Sequence, residues 1–366
     1  MTHRRARPRR LPLPVLGFVF LLVIGAIAWG ATRVGGSGSP TEATPAAARG
    51  SPTTTTPTST DDIVGASPGG DARAITPTPS GPAKERIVIH ATGDVSLDPS
   101  YIPAFRSNGY DWAWSGLDGL FEEDDLTIIN HECPSTEVVA PVPKEFSFRC
   151  DPAALPVARR FGVDVASLAN NHGYDQGPEG LLDSIRNVRA ARIVPVGAGR
   201  NEEEADAPAY VEAGGWRIGI VGVGEVLDPI DQVAVGDRVG TAVGHDFPRA
   251  LAAIREASAN ADLVLVVIHW GVELDTQPRA YQVEEARRMI EAGADAVFGH
   301  HAHRLQPMDT YRGRPIFYGL GNFVWPNFSV EGSTTAVAEV TVTPDGGIRG
   351  RLLPAFIASP GHPVLR

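Results

Sequence analysis

Three imidazoles fall within four positions at Gly299-His300-His301-Ala302-His303, directly after the apolar run at residues 294–298. Neutral imidazole is the commonest metal ligand, and histidines at i and i+2 on a loop can converge on one cation. Four more polar clusters close apolar runs: Gly93-Asp94, Asn130-His131-Glu132, Asn170-Asn171-His172 and His269-Trp270. Together they read as one metal site with Asp94, Glu132, Asn171, His269, His301 and His303 as ligands. Glu132 could bridge two metals or act as a base, and Asn130 could bind an oxyanion or orient Glu132. Nitrogen and oxygen donors without thiolates suit zinc, manganese or iron, as one or two ions.

Each residue also has a plainer reading. Asp94 alone fits a turn or a helix cap, and Pro99 after Asp98 makes that aspartate a turn residue. Glu132 alone could be a solvated loop residue, and His269 alone a satisfied core histidine. His131 alternates away from its neighbours on a strand and should point elsewhere. His300 is expected to support the ligands rather than bind. Gly321-Asn322-Phe323 is a rim element or a turn, and His3, His90, His245 and His362 receive no role. No Gly-x-Ser-x-Gly elbow and no Gly-x-x-x-x-Gly-Lys loop occurs, which argues against a serine nucleophile and against P-loop nucleotide binding.

These side chains need a scaffold that brings distant segments together. Residues 86–91, 126–129, 163–168, 218–223, 263–268 and 294–298 are short continuous apolar runs, the pattern of strands buried on both faces. Residues 153–161, 179–190, 248–259 and 279–292 carry apolar residues at helical spacing, with Gly293 as a stop. Residues 315–319 and 336–342 read as antiparallel strands. Strand–helix alternation implies a single α/β domain over residues 85–358 with a layered sheet core, followed by a tail at 359–366. Five of the six runs end at a polar cluster, and in open α/β sheets the ligand crevice lies beyond the carboxyl ends of the strands.

The N-terminus differs. Residues 11–31 are 21 positions without a charge, preceded by Arg4, Arg5, Arg7, Arg9 and Arg10. That length spans a bilayer, and the arginines keep residues 1–10 cytoplasmic. Ala26-Ile27-Ala28 also fits a small-x-small cleavage site, so a removed signal peptide is the rival reading. Either way the rest of the chain is expected outside the cytoplasmic membrane. With an uncleaved anchor it is a single-pass membrane protein. Residues 32–84 are rich in Pro, Thr, Gly and Ala and cannot bury a core, which implies a disordered spacer. The net charge of −11 argues against a nucleic-acid partner, which a basic footprint would attract. Outside the membrane the two cysteines, Cys133 and Cys150, are expected to form a disulfide; in the cytosol they would be two buried thiols.

The ordered run of Gly93-Asp94, Asn130-x-Glu132, Ala169-Asn170-Asn171-His172, His269-Trp270-Gly271, Gly299-His300-His301-Ala302-His303 and Gly319-Leu320-Gly321-Asn322-Phe323 resembles the CapA family. That family is linked to poly-γ-glutamate capsule biosynthesis and is similar to calcineurin-like metallophosphoesterases. The resemblance covers about residues 86–325 and implies a four-layer α/β/β/α metallophosphatase-like sandwich. It matches Asp94 to the first aspartate, Asn171 to the metal-binding asparagine and His172 to the adjacent acid histidine. His269 matches the middle ligand, and His301 with His303 the terminal His-x-His. Two departures stand out: Ser96 occupies the histidine position of the wider superfamily's Asp-x-His, and Asn130-x-Glu132 replaces its Gly-Asp-x-x-Asp. The resemblance implies a metal-dependent hydrolase of a phosphoester or an anionic cell-surface polymer, with His172 as acid. The alternative is a polymer assembly or export factor that keeps the fold without turnover. Membrane synthase subunits are expected partners of either.

Overall fold

The computed structural model describes residues 83–226, 232–242 and 247–366. The predicted basic segment, the membrane helix and almost all of the spacer lie outside the described residues. Of the spacer, only Ala83 and Lys84 are described, and Lys84 pairs with Asp262 at 2.6 Å. Among the described residues no helix is long and apolar enough to cross a membrane.

Among the described residues the six apolar runs form strands, accompanied by ten others. They are β1 (Ile87–Val95), β2 (Leu126–His131), β3 (Val163–Ser167), β4 (Val194–Val196), β5 (Ala198–Gly199), β6 (Ala209–Ala213), β7 (Trp216–Gly224) and β8 (Gly240–Thr241), then β9 (Leu263–His269), β10 (Ala296–His300), β11 (Met308–Tyr311), β12 (Arg314–Phe317), β13 (Asn322–Val324), β14 (Thr334–Val342), β15 (Ile348–Ser359) and β16 (His362–Leu365). One sheet runs β16-β15-β14-β1-β2-β3-β4, with β13 also paired to β1, and a second runs β11-β12-β10-β9-β7-β6. β1 to β4 are mutually parallel, as are β7, β9, β10 and β12. The expected tail at 359–366 is therefore a correction: β16 pairs antiparallel with β15 and closes the first sheet's edge. Residues 315–319 also differ from expectation, because β12 is antiparallel only to β11 and runs parallel to β10.

The predicted helices appear within a residue or two as α2 (Ala154–Arg160), α3 (Gly177–Ala190), α5 (Phe247–Asn260) and α6 (Ala280–Ala292). Short helices α1 (Ala104–Asn108), α4 (Glu202–Asp206) and α7 (Val330–Ser333) join them. Gly293 ends α6 at φ 120°, a conformation that favours glycine. Ile87, Ile89, Ile128 and Val165 of the first sheet pack against Ile218, Ile220, Leu265 and Phe298 of the second. Leu155, Ala158 and Val188 of α2 and α3 cover the first sheet's outer face, and Leu251, Ile254 and Met289 of α5 and α6 cover the second's. The order is helix, sheet, sheet, helix. Both sheets' parallel strands are buried on both faces, which explains why their sequences run apolar without alternation.

Candidate metal centre

The predicted residues lie at or just beyond the carboxyl ends of β1, β2, β3, β9 and β10. The parallel registers bring them level: Asp94 stands opposite Asn130 on β2 and opposite Asn322 on β13, while His300 stands opposite His269. Glycine makes the closest approach possible. A Cβ on Gly93 would lie 2.1 Å from the Gly321 carbonyl oxygen, so only a bare backbone lets β13 sit against β1.

Among the described residues, Asp94, Glu132 and His269 each offer a ligand atom, all within 4.8 Å of one another. His303 Nδ1 lies 3.1 Å from Asp94 Oδ2, and its Nε2 lies 3.9 Å from Glu132 Oε1. Asn171 Oδ1 accepts from His269 Nε2 at 2.8 Å. The His301 ring centre is 4.9 Å from that of His269 and 6.1 Å from that of His303. All six predicted ligands thus converge. His301 and His303 both take left-handed backbone, at φ 87° and 52°. Non-glycine residues there cost on the order of 1–3 kcal/mol and persist where the surroundings enforce them, commonly at functional sites.

Asn130 occupies the middle of the cluster. Its Nδ2 donates to Asp94 Oδ1 at 2.9 Å and to Glu132 Oε2 at 3.3 Å, and lies 3.2 Å from His269 Nδ1. Its Oδ1 accepts from Asn170 Nδ2 at 3.1 Å, so its contacts are with the ligands and their supports. His172 sits beside the cluster, its Nδ1 2.8 Å from Asp175 Oδ2 and its ring 4.3 Å from that of Phe148. With Nδ1–H given to Asp175, Nε2 is the atom that can gain or release a proton.

Neighbouring residues make their contacts elsewhere. His131 points away, its Nε2 2.8 Å from Ser135 Oγ. His300 Nε2 contacts the Thr92 carbonyl at 2.9 Å, between the two sheets. Cys133 and Cys150 form the expected disulfide. That bridge removes thiolates from a second grouping, His131 with the two cysteines, which is accordingly no metal site. Ser96 is fully buried, at the position where a histidine was missing.

The electrostatics fit a cation. Burial alone would raise the Asp94 carboxyl, but His303, His300 and Asn130 outweigh it and hold it below the usual range. Burial and the neighbouring Asp94 charge push Glu132 well above its ordinary value. Burial, then the other imidazoles, holds His269 well below the normal histidine value, and burial brings His301 down to about 4. Burial opposes charge on His303 as well, yet Asp94, Glu273 and Asn322 outweigh it and raise His303. Neutral imidazoles beside carboxylates are the ligating forms. Asp94 Oδ2, Glu132 Oε1 and His301 Nδ1 are buried without a hydrogen bond. Such atoms are rare in folded proteins, and a cation held among Asp94, Glu132 and His269 would satisfy the two carboxylates.

Three supporting residues carry too little signal in the sequence, and a fourth, Asn322, reads there as a rim element or a turn. Asp175 follows His172 by three positions inside a turn, and Lys144 lies 28 residues away from it on the disulfide loop. Asn322 Oδ1 lies 2.8 Å from His303 Nδ1 and fixes that ring, which decides in favour of a functional reading of Gly321-Asn322-Phe323. Glu225 follows β7, the one apolar run without a recognised polar end, and its N–H donates to the His269 carbonyl at 2.9 Å.

The bacterial capsule synthesis protein family, PGA_cap, matches residues 88–327 of this chain. The PGA biosynthesis protein CapA of Bacillus subtilis is 29% identical over 276 residues, covering 72% of this chain and 70% of that one. A probable polyglutamine synthesis accessory protein of Mycobacterium tuberculosis is 31% identical over 289 residues, covering 72% and 74%. Among solved structures, the NAD nucleotidase of Haemophilus influenzae superposes with a TM-score of 0.47 at 12% identity, over 74% of this chain and 50% of that chain. The family's match takes in every residue of the cluster from Asp94 to Asn322, and the chain belongs to the bacterial capsule synthesis protein family PGA_cap.

Proposed function

We propose that this chain serves the biosynthesis of a capsule or cell-surface polymer of the poly-γ-glutamate type, as a metal-dependent hydrolase outside the cytoplasmic membrane. The observation that carries the reading is the convergence of Asp94, Glu132 and His269 within 4.8 Å, with buried carboxylate oxygens that accept no hydrogen bond and face imidazoles. Asp94, Glu132, Asn171, His269, His301 and His303 would hold manganese, zinc or iron. Such a cation supplies a bound water of lowered pKa and polarises a phosphoryl or amide oxygen. The protein's own part is positional. Asn130 keeps both carboxylates in place, and Asp175 fixes the His172 ring so that Nε2 can deliver a proton to the leaving group. Phe148 covers one face of that ring. The disulfide supports an oxidising compartment, which residues 11–31 would reach either as an anchor or as a removed signal. An anionic polymer or phosphoester is the substrate class, and membrane synthase subunits are the partners.

Buried Ser96 favours a second reading. Its hydroxyl has no partner and cannot replace a ligating imidazole, which leaves room for one ion and an assembly or export role without turnover. One experiment separates the two. The purified chain is supplied with Mn²⁺ and assayed on phosphoesters and on poly-γ-glutamate. Turnover that disappears in His172→Ala and His303→Ala supports the hydrolase. Metal binding without turnover on any of these substrates supports the assembly factor.

A further inference from the structure

Lys144 sits in the loop closed by Cys133 and Cys150, and its side chain is 3% exposed. Lysine is almost never buried to this degree unless paired. Its Nζ donates to the Asn171 carbonyl at 2.8 Å and to Asp175 Oδ1 at 2.8 Å, and lies 3.3 Å from His172 Nδ1. These atoms lie on one turn, residues 171–175, which carries a candidate ligand, the candidate acid and the carboxylate that orients it. The loop is stitched to the same turn elsewhere. Phe148 N donates to Asp175 Oδ2 at 2.6 Å, and Val142 N and Ser147 Oγ donate to the Asp175 carbonyl at 2.9 and 3.0 Å. A compact ammonium with rotatable donors can reach acceptors in different directions at once, which a planar guanidinium does less well.

We propose that Lys144 is a positioning residue of the metal centre: the disulfide-closed loop inserts it to lock the 171–175 turn, and through that turn it fixes Asn171 and His172. The metal-binding arm of the test rests on the reading above, whereas the exchange arm does not. A bare charge and a positioning contact predict opposite signs. A buried cation beside a cation site opposes the metal, so deleting it as mere charge would tighten binding. Deleting a contact that holds a ligand in place loosens binding, by about 10-fold or more for residues that orient metal ligands.

The full chain, with its disulfide intact, is compared with Lys144→Met and with Lys84→Met, which removes the same charge at the surface. Calorimetric titration with Mn²⁺ should show a dissociation constant raised ~10-fold in Lys144→Met and unchanged in Lys84→Met. An unchanged or lower constant in Lys144→Met overturns the proposal. Hydrogen exchange on the metal-free proteins gives the second readout. Amides of residues 171–177 should exchange at least ~10-fold faster in Lys144→Met, while β9 peptides keep their rate. Equal exchange in that turn also overturns the proposal, even if the wild type binds no Mn²⁺ and the metal reading fails. Lys144→Arg retains the buried counter-charge for Asp175 if Lys144→Met does not fold. Its larger planar head should shift both readouts in the same direction, and wild-type values in both would refute the role.

Discussion

Glu132→Gln should make the metal-free protein more stable, and metal should narrow or reverse that advantage. Glu132 is fully buried, and its Oε1 has no hydrogen bond. Burial and the Asp94 charge hold its folded pKa well above the ordinary value of 4.5. Between the unfolded and folded values the native state binds the extra proton, so stability is fully present below about 4.5 and is lost as pH rises through the folded value. At pH 8 the carboxyl must either hold its proton against solution or lie buried and ionised without a hydrogen bond on Oε1, and either costs at least about 1–3 kcal/mol. The neutral, nearly isosteric glutamine removes that cost. For a domain of this size ~2 kcal/mol corresponds to roughly 4–8 °C in Tm. Mn²⁺ at 100 times its dissociation constant adds about 2.7 kcal/mol to the wild type, and the variant, lacking the carboxylate ligand, gains almost nothing. Thermal unfolding at pH 8, in EDTA and then with Mn²⁺, should therefore show the variant above the wild type without metal and the order narrowed or reversed with it. A variant less stable than wild type in EDTA, or one that keeps the full Mn²⁺ shift, would refute the reasoning.

The same geometry predicts three other outcomes. Asp175→Asn should lower kcat by about 10²-fold or more even at saturating Mn²⁺, the scale of losing a positioned acid; kcat measured against Mn²⁺ concentration checks it, and wild-type kcat at saturation would count against the acid role of His172. Gly93→Ala forces a Cβ onto the Gly321 carbonyl at 2.1 Å, so β13 must shift; denaturant melts should show a loss of about 1–3 kcal/mol, with weaker Mn²⁺ binding because Asp94 and Asn322 move. Burial and the neighbouring Glu285 push Glu225 up to about 8, so it favours the fold below about 4.5 and that contribution fades as pH climbs through 8. Glu225→Gln should flatten the Tm profile over that interval and raise Tm at pH 8.5, and a profile as steep as the wild type's would count against a protonated Glu225.

The candidate cluster is legible because its members follow short continuous apolar runs, and parallel strands bring the ends of those runs to one edge. Asp94, Glu132 and His269 are far apart in sequence yet meet within 4.8 Å for that reason. The supports are harder to read. Asp175 and Lys144 lie in turns and loops without periodicity, and their roles exist only once the disulfide loop folds over residues 171–175. β13 is three residues long, too short for a pattern, although Gly93 and Gly321 mark a close backbone approach. β16 reads as a tail because its four residues, containing Pro363, show no alternation, and only pairing with β15 makes them a strand. Glu225 escapes notice because a single acidic residue after β7 resembles any loop carboxylate until its burial is seen.

Elemental analysis of the purified chain beside Asp94→Ala and His269→Ala tests the central claim most directly. A shared cation site predicts at least about one divalent transition metal per wild-type chain, close to none in either variant, and intact folding by circular dichroism in all three. Wild-type protein that stays metal-free after dialysis against Mn²⁺, Zn²⁺ and Fe²⁺, or variants that retain its full complement, would contradict it.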